Sequence, residues 1–514
     1  MPTRADLRPG ALVVLAVLGA VLVLARFHTY HEPFETDITA ASVIAHEVLE
    51  GRALYADIWD HKPPALALTH VAAIALAGWG PGAVFLLNLA ASLVTLGGVY
   101  AAGTAIGPAS AGLWAATFWT VLSGDLWLQG NQPNTEAFIN ACLVWAFALL
   151  VRAQGASGGG RFVAIGALVA WASLYKQVAL VPAILVVLVH IARPPAGRSR
   201  ARAGADAALA GGVVVLAWGT TLAYFTAVGR LAAFWDAVVV YNRHYSAGAG
   251  GPLGHLLLAF QPAQLFSTWL RSTAPLAVLV ALGMLLGLLG AHRRQWSLFA
   301  ALALATPIAI GLPGAFAPHY YQLWLPPLAV GGGWATHALA RVLRARPAWL
   351  PHAAAGGALV LLIAYQAPLY LFSPDDWSLI KYGPIFVEER QLARELDTLL
   401  LPGETFYLWG SELGLYFWTR RSPVCGPCFV WPVGTGPLAL RLTDRVLRDL
   451  ARKPPELFIV ANWTWQWLKI RHPVIDWGVA NYRPMPGGNQ RGPFSLYVRR
   501  GGTLEARAER AAKR

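Results

Sequence analysis

The chain has 514 residues, of which 56% are hydrophobic and 13% are charged, with a mean hydropathy of +0.49. Soluble domains usually carry about 25% charged residues, so a single soluble domain is excluded and a polytopic α-helical membrane protein is expected. The net charge of +14 does not indicate a nucleic-acid binder, because much of the excess arginine lies in short loops between apolar runs, as in cytoplasmic loops.

The acidic residues divide the chain into two parts. Residues 1–372 contain 12 Asp and Glu, whereas residues 373–514 contain 14. We therefore predict a transmembrane domain over 1–372 and a water-soluble domain over 373–514.

The first apolar run, 11–25, follows a segment with Arg4 and Arg8 and lacks a small-residue cleavage site, which predicts an uncleaved first span. Ten further apolar runs follow at 82–105, 109–126, 136–151, 162–175, 178–191, 207–228, 272–289, 296–312, 322–339 and 353–372. A span needs about 20 residues, so the two runs beside Lys176 and the shorter stretch 65–77 are ambiguous.

Basic loops resolve this ambiguity. If 65–77 lies flat in the interface and the chain turns at Lys176, all the basic loops fall on the N-terminal side. These loops contain Arg152 and Arg161, the arginines of 193–202, Arg293 and Arg294, and those of 341–346. The positive-inside rule then predicts about 11 spans, a cytoplasmic N-terminus and an extracytoplasmic C-terminal domain.

The segments predicted to lie outside are 27–64, 127–135, 229–271 and 313–321. They hold most of the acidic residues, histidines, tyrosines and tryptophans of the membrane half. This asymmetry indicates an outward-facing polar site, and the first outer loop extends over 27–81.

The first outer loop begins with a predicted amphipathic helix over 36–51, which Gly51 ends and Thr36 or Asp37 caps. Asp37 has two interpretations: a capping carboxylate, worth about 1 kcal/mol to the helix, or a general base that takes the proton of an acceptor hydroxyl. Lys62 precedes Pro63 and Pro64, which fix an extended backbone. It serves either as an anchor to lipid headgroups or as a point charge that neutralises a phosphate.

Several of these outer segments resemble one family. The stretch from Asp37 to Gly51, Tyr55 and the sequence Lys62-Pro63-Pro64 look like the first outer loop of bacterial glycosyltransferases that use lipid-phosphate-linked sugars. These are relatives of protein O-mannosyltransferases, of the lipid A aminoarabinose transferase and of galacturonosyl transferases. Further similar stretches are 131–136, 241–245, 318–321 with 325–327, 407–410 and 454–457.

The resemblance implies a GT-C fold and an inverting transfer, in which an acceptor oxygen attacks the anomeric carbon while polyprenyl phosphate leaves. Asp37 would be the catalytic base. Fixed cations near the leaving group lower the barrier, and the candidates for binding the donor phosphate are Lys62, Arg243 and Lys176. The candidates for binding the sugar or the acceptor are Glu136, His61, His244, Tyr245, His319 and Tyr320. The expected partners are a polyprenyl-phosphate sugar, membrane lipids and an envelope acceptor.

Two of these residues keep alternatives. Glu136 begins an apolar run, where a carboxylate either serves function or interacts favourably with the positive end of the helix dipole. His61 stands where lipid A-modifying relatives have an acid before Lys-Pro-Pro. Histidine also ligates metals, so a divalent metal stays open. The sequence itself requires no cofactor.

The tail, 373–514, alternates strand-like runs at 405–409, 457–461 and 494–498 with helical runs at 388–401 and 438–450, which predicts an α/β domain. It also contains Cys425-Gly426-Pro427-Cys428, the spelling of a redox tetrapeptide. No helix clearly begins there, so a local disulfide is favoured over thiol-exchange catalysis.

Two other functions compete with glycosyl transfer. A transporter or lipid flippase would place polar residues near the bilayer midplane, often with internal repeats, and neither is evident here. A non-catalytic assembly or sensor protein would use the tail to bind a partner, and the Asp37 loop would be incidental.

Overall fold

The structure is a computed structural model that describes residues 9–247, 251–343, 347–467 and 471–512. Arg4, Arg8, Arg344 and Arg346, four of the arginines used to predict the orientation, lie outside these ranges. The remaining basic loops are described.

Seventeen α-helices make up the described part of the apolar half. They are α1 (Pro9–His28), α2 (Thr36–Leu49), α3 (Ala65–Ala77), α4 (Pro81–Gly103), α5 (Ala109–Leu122), α6 (Thr135–Val151), α7 (Gly159–Tyr175), α8 (Leu180–Ala192), α9 (Arg200–Ala227), α10 (Leu231–Trp235), α11 (Asn242–Tyr245), α12 (Gly251–Ala259), α13 (Pro262–Leu265), α14 (Ala274–Leu289), α15 (Arg293–Gly311), α16 (Leu325–Val342) and α17 (Leu350–Gln366). Short 3₁₀ helices cover Gln177–Ala179, Thr268–Thr273, Pro318–Trp324 and Ala367–Leu371, and a π-helix covers Asp236–Tyr241.

Each apolar run predicted to cross the membrane forms a helix: α1, α4 to α9 and α14 to α17. Five helical segments of the described chain are long and apolar enough to span a bilayer: α1, α4, α9, Thr268–Leu289 and Leu350–Leu371. The predicted turn at Lys176 is present, because its backbone is extended and a 3₁₀ turn follows it. The chain is a multi-pass helical membrane protein, and the count of 11 spans stays a prediction.

The basic loops meet at one end of the helices. Arg294 donates hydrogen bonds to the backbone oxygens of Arg193 (3.0 Å) and Val151 (3.5 Å), and Arg198 donates to that of Gly155 (2.9 Å). These contacts join the loops that follow α6 and α8 and the start of α15. Since α6 has 17 residues and rises about 1.5 Å per residue, its first turn lies about 25 Å away, at the opposite end.

The tail folds around a small mixed sheet. Its helices are α18 (Pro374–Tyr382), α19 (Ile385–Leu399), α20 (Gly414–Thr419), α21 (Trp431–Gly434), α22 (Ala439–Arg452), α23 (Trp463–Trp467), α24 (Pro473–Asn481) and α25 (Thr503–Ala512). Its strands are β1 (Phe406–Trp409), β2 (Leu457–Ala461), β3 (Tyr482–Pro484), β4 (Gln490–Arg491) and β5 (Phe494–Arg499). The sheet order is β1-β2-β5-β3, with β4 also paired to β5. Only β1 and β2 are parallel, Phe406 facing Leu457, and β5 runs antiparallel to its neighbours. Strands β1, β2 and β5 confirm the predicted strand-like runs.

The first outer loop packs into the tail. Ile38, Ile44 and Trp59 share one buried apolar cluster with tail residues such as Leu413. The Trp59 backbone N–H donates to the Gly426 oxygen at 3.1 Å. The first outer loop therefore lies between the membrane helices and the tail. The loop and the tail are at the same end of the molecule.

Candidate active site

Helix α2 presents Asp37 to Lys62. The prediction that Thr36 or Asp37 caps α2 is wrong: the helix begins at Thr36, and the preceding Glu35 makes no side-chain capping bond. Asp37 lies in the first turn, and its Oδ1 accepts a hydrogen bond from Lys62 Nζ at 2.8 Å. Gly51 ends α2 as predicted, with a left-handed φ of +90° that favours glycine.

Local contacts hold Lys62 in place. The Tyr55 hydroxyl donates to the Lys62 backbone oxygen at 2.8 Å, and the Asp60 carboxylate accepts from the His61 backbone N–H at 2.7 Å. The two prolines follow, and α3 begins directly after Pro64. Since α3 packs on α2, the lysine at the start of α3 lies opposite the first turn of α2.

A second ion pair forms at the start of α6. Glu136, in the first turn, accepts a hydrogen bond from Lys176 Nζ at 2.9 Å, and its side chain is only 1% exposed. Lys176 directly follows α7, and its ammonium lies 3.4 Å from the centre of the Tyr320 ring. A cation over an aromatic face is attracted by the ring quadrupole, so Lys176 has two attractive partners.

One 3₁₀ helix links the two ion pairs. His319 Nε2 lies 3.7 Å from Asp37 Oδ2, and the adjacent Tyr320 stacks under Lys176. The Tyr245 hydroxyl interacts with that of Tyr320. Side chains from five separate parts of the chain thus surround one site.

The charges of Asp37 and Lys62 stabilise each other. Burial would raise the pKa of Asp37, but the positive charge of Lys62 and its hydrogen bond to the carboxylate outweigh it and hold the pKa well below its ordinary value. Burial would lower the pKa of Lys62, but Asp37 and Asp60 hold it above its usual range. The pair is therefore ionised at neutral pH, although 40% of the Asp37 side chain remains exposed.

The remaining predicted residues divide into two groups. His61 is near the site: its ring centre lies 5.9 Å from that of Tyr245, and burial lowers its pKa to about 4, so the ring is neutral at pH 7. Arg243 and His244 are exposed. Arg243 forms no side-chain ion pair within the described ranges, and His244 lies against Gly436 of the tail.

Sequence reasoning missed three buried residues. Burial and the charge of Asp37 raise the pKa of Glu35 to about 8. Its Oε1 has no hydrogen-bond partner among the described atoms. Behind it, Glu32 forms an ion pair with Lys381 of α18. The density of acids in 27–64 indicated this region, but no local pattern indicated which acids are buried.

A divalent metal finds few ligands here. Within 9–247, 251–343, 347–467 and 471–512, no three His, Cys, Asp or Glu side chains gather closely enough to hold one. Cys425 and Cys428 are buried free thiols, so the local disulfide favoured from the sequence is not formed in this structure. Their loop packs on the first outer loop, since a Cβ on Gly426 would lie 2.5 Å from the Asp57 oxygen.

No family model and no curated protein sequence matches the chain. Solved structures do. ArnT from Cupriavidus metallidurans bound to undecaprenyl phosphate is 15% identical, with a TM-score of 0.64 over 96% of this chain and 98% of that one. The archaeal oligosaccharyltransferase AglB from Archaeoglobus fulgidus, in complex with an inhibitory peptide and dolichol phosphate, is 12% identical, with a TM-score of 0.54 over 98% of this chain and 77% of that one.

The A. fulgidus oligosaccharyltransferase was also solved in complex with zinc and sulfate, with 14% identity and a TM-score of 0.52 over 95% of this chain and 73% of that one. At such identities the likeness concerns architecture. It confirms the predicted fold class: the chain has the GT-C fold, a multi-pass helical membrane half followed by a C-terminal α/β region.

Proposed function

We propose that the chain is an inverting glycosyltransferase that moves a sugar from a polyprenyl-phosphate carrier to an envelope acceptor. The observation that carries the proposal is the ion pair between Asp37 and Lys62 at 2.8 Å, beside a second pair between Glu136 and Lys176. A carboxylate base beside two fixed cations is what attack by a hydroxyl and departure of a phosphate require.

The reaction balances as a single displacement. The acceptor oxygen forms a bond to the anomeric carbon and gives its proton to Asp37. The bond between that carbon and the phosphate oxygen breaks, and polyprenyl phosphate leaves with the electron pair. Lys62 and Lys176 neutralise the charge that develops on the phosphate.

Donor binding would also activate the base. In the free protein, Lys62 keeps the pKa of Asp37 low and thereby weakens it as a base. A donor phosphate competes for the Lys62 ammonium. As the ion pair loosens, the pKa of Asp37 rises towards the operating pH, where general-base catalysis is most efficient.

Sugar hydroxyls require hydrogen-bonding groups near the two pairs. His319, Tyr320, Tyr245 and the neutral ring of His61 supply them, and Glu136 keeps one buried oxygen, Oε2, without a hydrogen-bond partner in the described structure. Arg243 and His244 are exposed on the adjacent segment, where they would meet the carrier or acceptor as it enters. No step of this mechanism passes through a metal.

We place the site on the outer face of a bacterial inner membrane, with a cytoplasmic N-terminus and the tail, 373–514, outside. Two observations support this orientation. The basic loops and the ion-paired site lie at opposite ends of α6, and the positive-inside rule assigns the basic end to the cytoplasm.

A release assay tests the proposal. Purified protein in nanodiscs is incubated with undecaprenyl-phosphate-linked hexoses or pentoses and an envelope extract. We expect release of undecaprenyl phosphate together with a glycosylated acceptor. A flippase would move the donor across the bilayer without releasing the carrier, and a sensor would do neither. Either outcome across a panel of donors contradicts the proposal.

A further inference from the structure

A buried cluster connects the tail to both ion-paired loops. Lys381, on α18, forms an ion pair with Glu32 and donates a hydrogen bond to Asn131 Oδ1 at 3.0 Å. Asn131 Nδ2 in turn donates to Glu32 Oε2 at 2.5 Å. The side chains of Lys381 and Glu32 are 1% and 0% exposed. We call these three residues the Lys381 triad.

Each partner of Lys381 precedes one of the two ion pairs. Glu32 lies five residues before Asp37, and Asn131 lies five residues before Glu136. Both segments lead directly into the helices, α2 and α6, whose first turns carry those acids. The Lys381 ammonium therefore connects the two segments that lead into α2 and α6. In this way it links the positions of the two lysine–carboxylate pairs.

The framework behind the triad is also fixed. Asn88 of α4 donates to the Asn131 backbone oxygen at 2.5 Å, and Arg26 of α1 donates to the Asn88 side chain at 3.0 Å. A neighbouring tail residue, Tyr382, donates to Gln132 at 3.4 Å. The loop before α6 is thus attached to the membrane helices on one side and to α18 on the other.

Attachment of the tail does not by itself account for a buried ion pair. Other contacts already attach it to the first outer loop: Arg390 donates to the His31 oxygen at 2.6 Å, and Arg445 donates to the Asp57 oxygen at 2.8 Å. A buried ion pair is frequently no more stabilising than an apolar replacement. In some proteins such a pair instead fixes the geometry between the groups that it joins.

We propose that Lys381 is a positioning residue for the transfer reaction. It sets the separation of Asp37 and Lys62 from Glu136 and Lys176, so that both lysines engage one phosphate of the carrier. This proposal rests on the proposed function. It makes the tail an integral part of the membrane-embedded site.

The test uses the full chain in nanodiscs with undecaprenyl phosphate as the probe. Lys381→Met alone would leave Glu32 as a buried unpaired charge, so the decisive variant is the double change Lys381→Met with Glu32→Gln, which removes both charges. Asn131→Ser is a second variant that keeps the ion pair but cuts its link to α6. Lys453→Met, at an exposed lysine of the tail, is the matched control.

We expect the double variant to keep a thermal midpoint close to that of the unmodified chain while its Kd for undecaprenyl phosphate rises about tenfold, or 1.4 kcal/mol. Asn131→Ser should weaken binding in the same direction, and Lys453→Met should change neither quantity. If Lys381 were merely structural, a variant that keeps its thermal midpoint would also keep its affinity for undecaprenyl phosphate. Unchanged affinity in both the double variant and Asn131→Ser therefore overturns the proposal.

Hydrogen exchange keeps this result separate from the proposed function. If the unmodified chain does not bind undecaprenyl phosphate, the proposed function fails. The hydrogen-exchange rates of the amides at the starts of α2 and α6 then still test whether the Lys381 triad joins these two helix starts. We expect both to exchange faster in the double variant, with α22 unchanged. Equal protection of both helix starts in the two proteins overturns the role of Lys381.

Discussion

The two ends of helix α6 both carry buried charges, but the charges are satisfied to different degrees. At the basic end, Arg198 binds both carboxylate oxygens of Asp206 and also donates to the backbone oxygens of Gly155 and Ser157. At the other end, Asp37 keeps 40% of its side chain exposed, and Glu136 keeps one buried oxygen without a hydrogen-bond partner in the described structure.

This difference separates a structural ion pair from a binding site. A bidentate arginine pair with four of its five N–H donors in use leaves little capacity for a ligand, and its geometry is fixed. A monodentate lysine pair retains acceptor and donor capacity, and a ligand can exchange one partner for another. The exposed Asp37 carboxylate and the unpaired oxygen of Glu136 therefore leave capacity for a ligand at the site end.

Replacing the base should have the largest effect on transfer. Asp37→Asn keeps the shape and a hydrogen-bond acceptor but removes the proton acceptor, so we expect the rate of transfer to fall by about 10²–10⁴-fold. Affinity for undecaprenyl phosphate should persist or increase, because Lys62 is no longer held by a carboxylate. Carrier release and carrier binding measure the two effects.

Glu50→Gln, at an exposed acid that follows the same helix, is the control and should transfer normally. Full activity of Asp37→Asn would remove Asp37 as the base.

Replacing the cation should have a smaller effect, on binding. Lys62→Ala removes a charge-assisted contact to phosphate, worth about 1.5–3 kcal/mol, so affinity for undecaprenyl phosphate should fall about 10- to 100-fold. The pKa of Asp37 should also rise, since Lys62 is the principal charge that lowers it, and the pH–rate profile should shift upwards. Lys453→Ala is the control. An unchanged affinity together with an unchanged profile would contradict the role of Lys62.

Glu35 predicts how the stability of the site end depends on pH. Its folded pKa is about 8, above the ordinary 4.5, so its carboxyl is neutral in the folded protein at pH 5 and must ionise in a buried place at higher pH. Stability from this group is full below about pH 4.5 and is lost as pH rises through 8. Glu35→Gln should remove that loss, on the order of 5 kcal/mol.

Thermal midpoints at pH 5 and pH 9 check this sign. The thermal midpoint of Glu35→Gln should exceed that of the unmodified chain only at pH 9. An equal difference at both pH values would contradict a buried, protonated carboxyl group at Glu35.

A change at the basic end should leave transfer unaffected. Asp206→Asn leaves Arg198 as a buried charge with a weakened partner, which costs stability, about 3 kcal/mol by comparison with other broken buried pairs. Transfer per folded molecule should equal that of the unmodified chain, because the pair lies at the far end of α6. A specific loss of turnover in folded Asp206→Asn would contradict the distinction between the two ends.

Much of the architecture was predictable, because apolar runs, glycine stops and basic loops are local signals. The eleven runs, the turn at Lys176 and the end of α2 at Gly51 all follow from them. The nearness of Asp37 to Lys62 was expected only from the resemblance. The roles of the site residues stay predictions.

Other features have no local signal. Lys381 reaches Glu32 across 349 positions of sequence, and its own segment lies outside the helical runs predicted for the tail. Glu35 looks like any surface acid in the sequence, and only the fold buries it and brings Lys381 of α18 near it. Strands β3 and β4 are too short to recognise in the sequence. Their pairing with β5 also depends on the sheet already being formed.

Thiol labelling tests the distinction between the ends most directly. Single cysteines at Glu50→Cys, on the site end, and Arg200→Cys, on the basic end, occupy exposed positions, whereas Cys142, Cys425 and Cys428 are buried. We predict that a membrane-impermeant maleimide labels Glu50→Cys in spheroplasts and labels Arg200→Cys only after the membrane is permeabilised. The reverse pattern would place the carboxylate site in the cytoplasm and contradict transfer at the outer face.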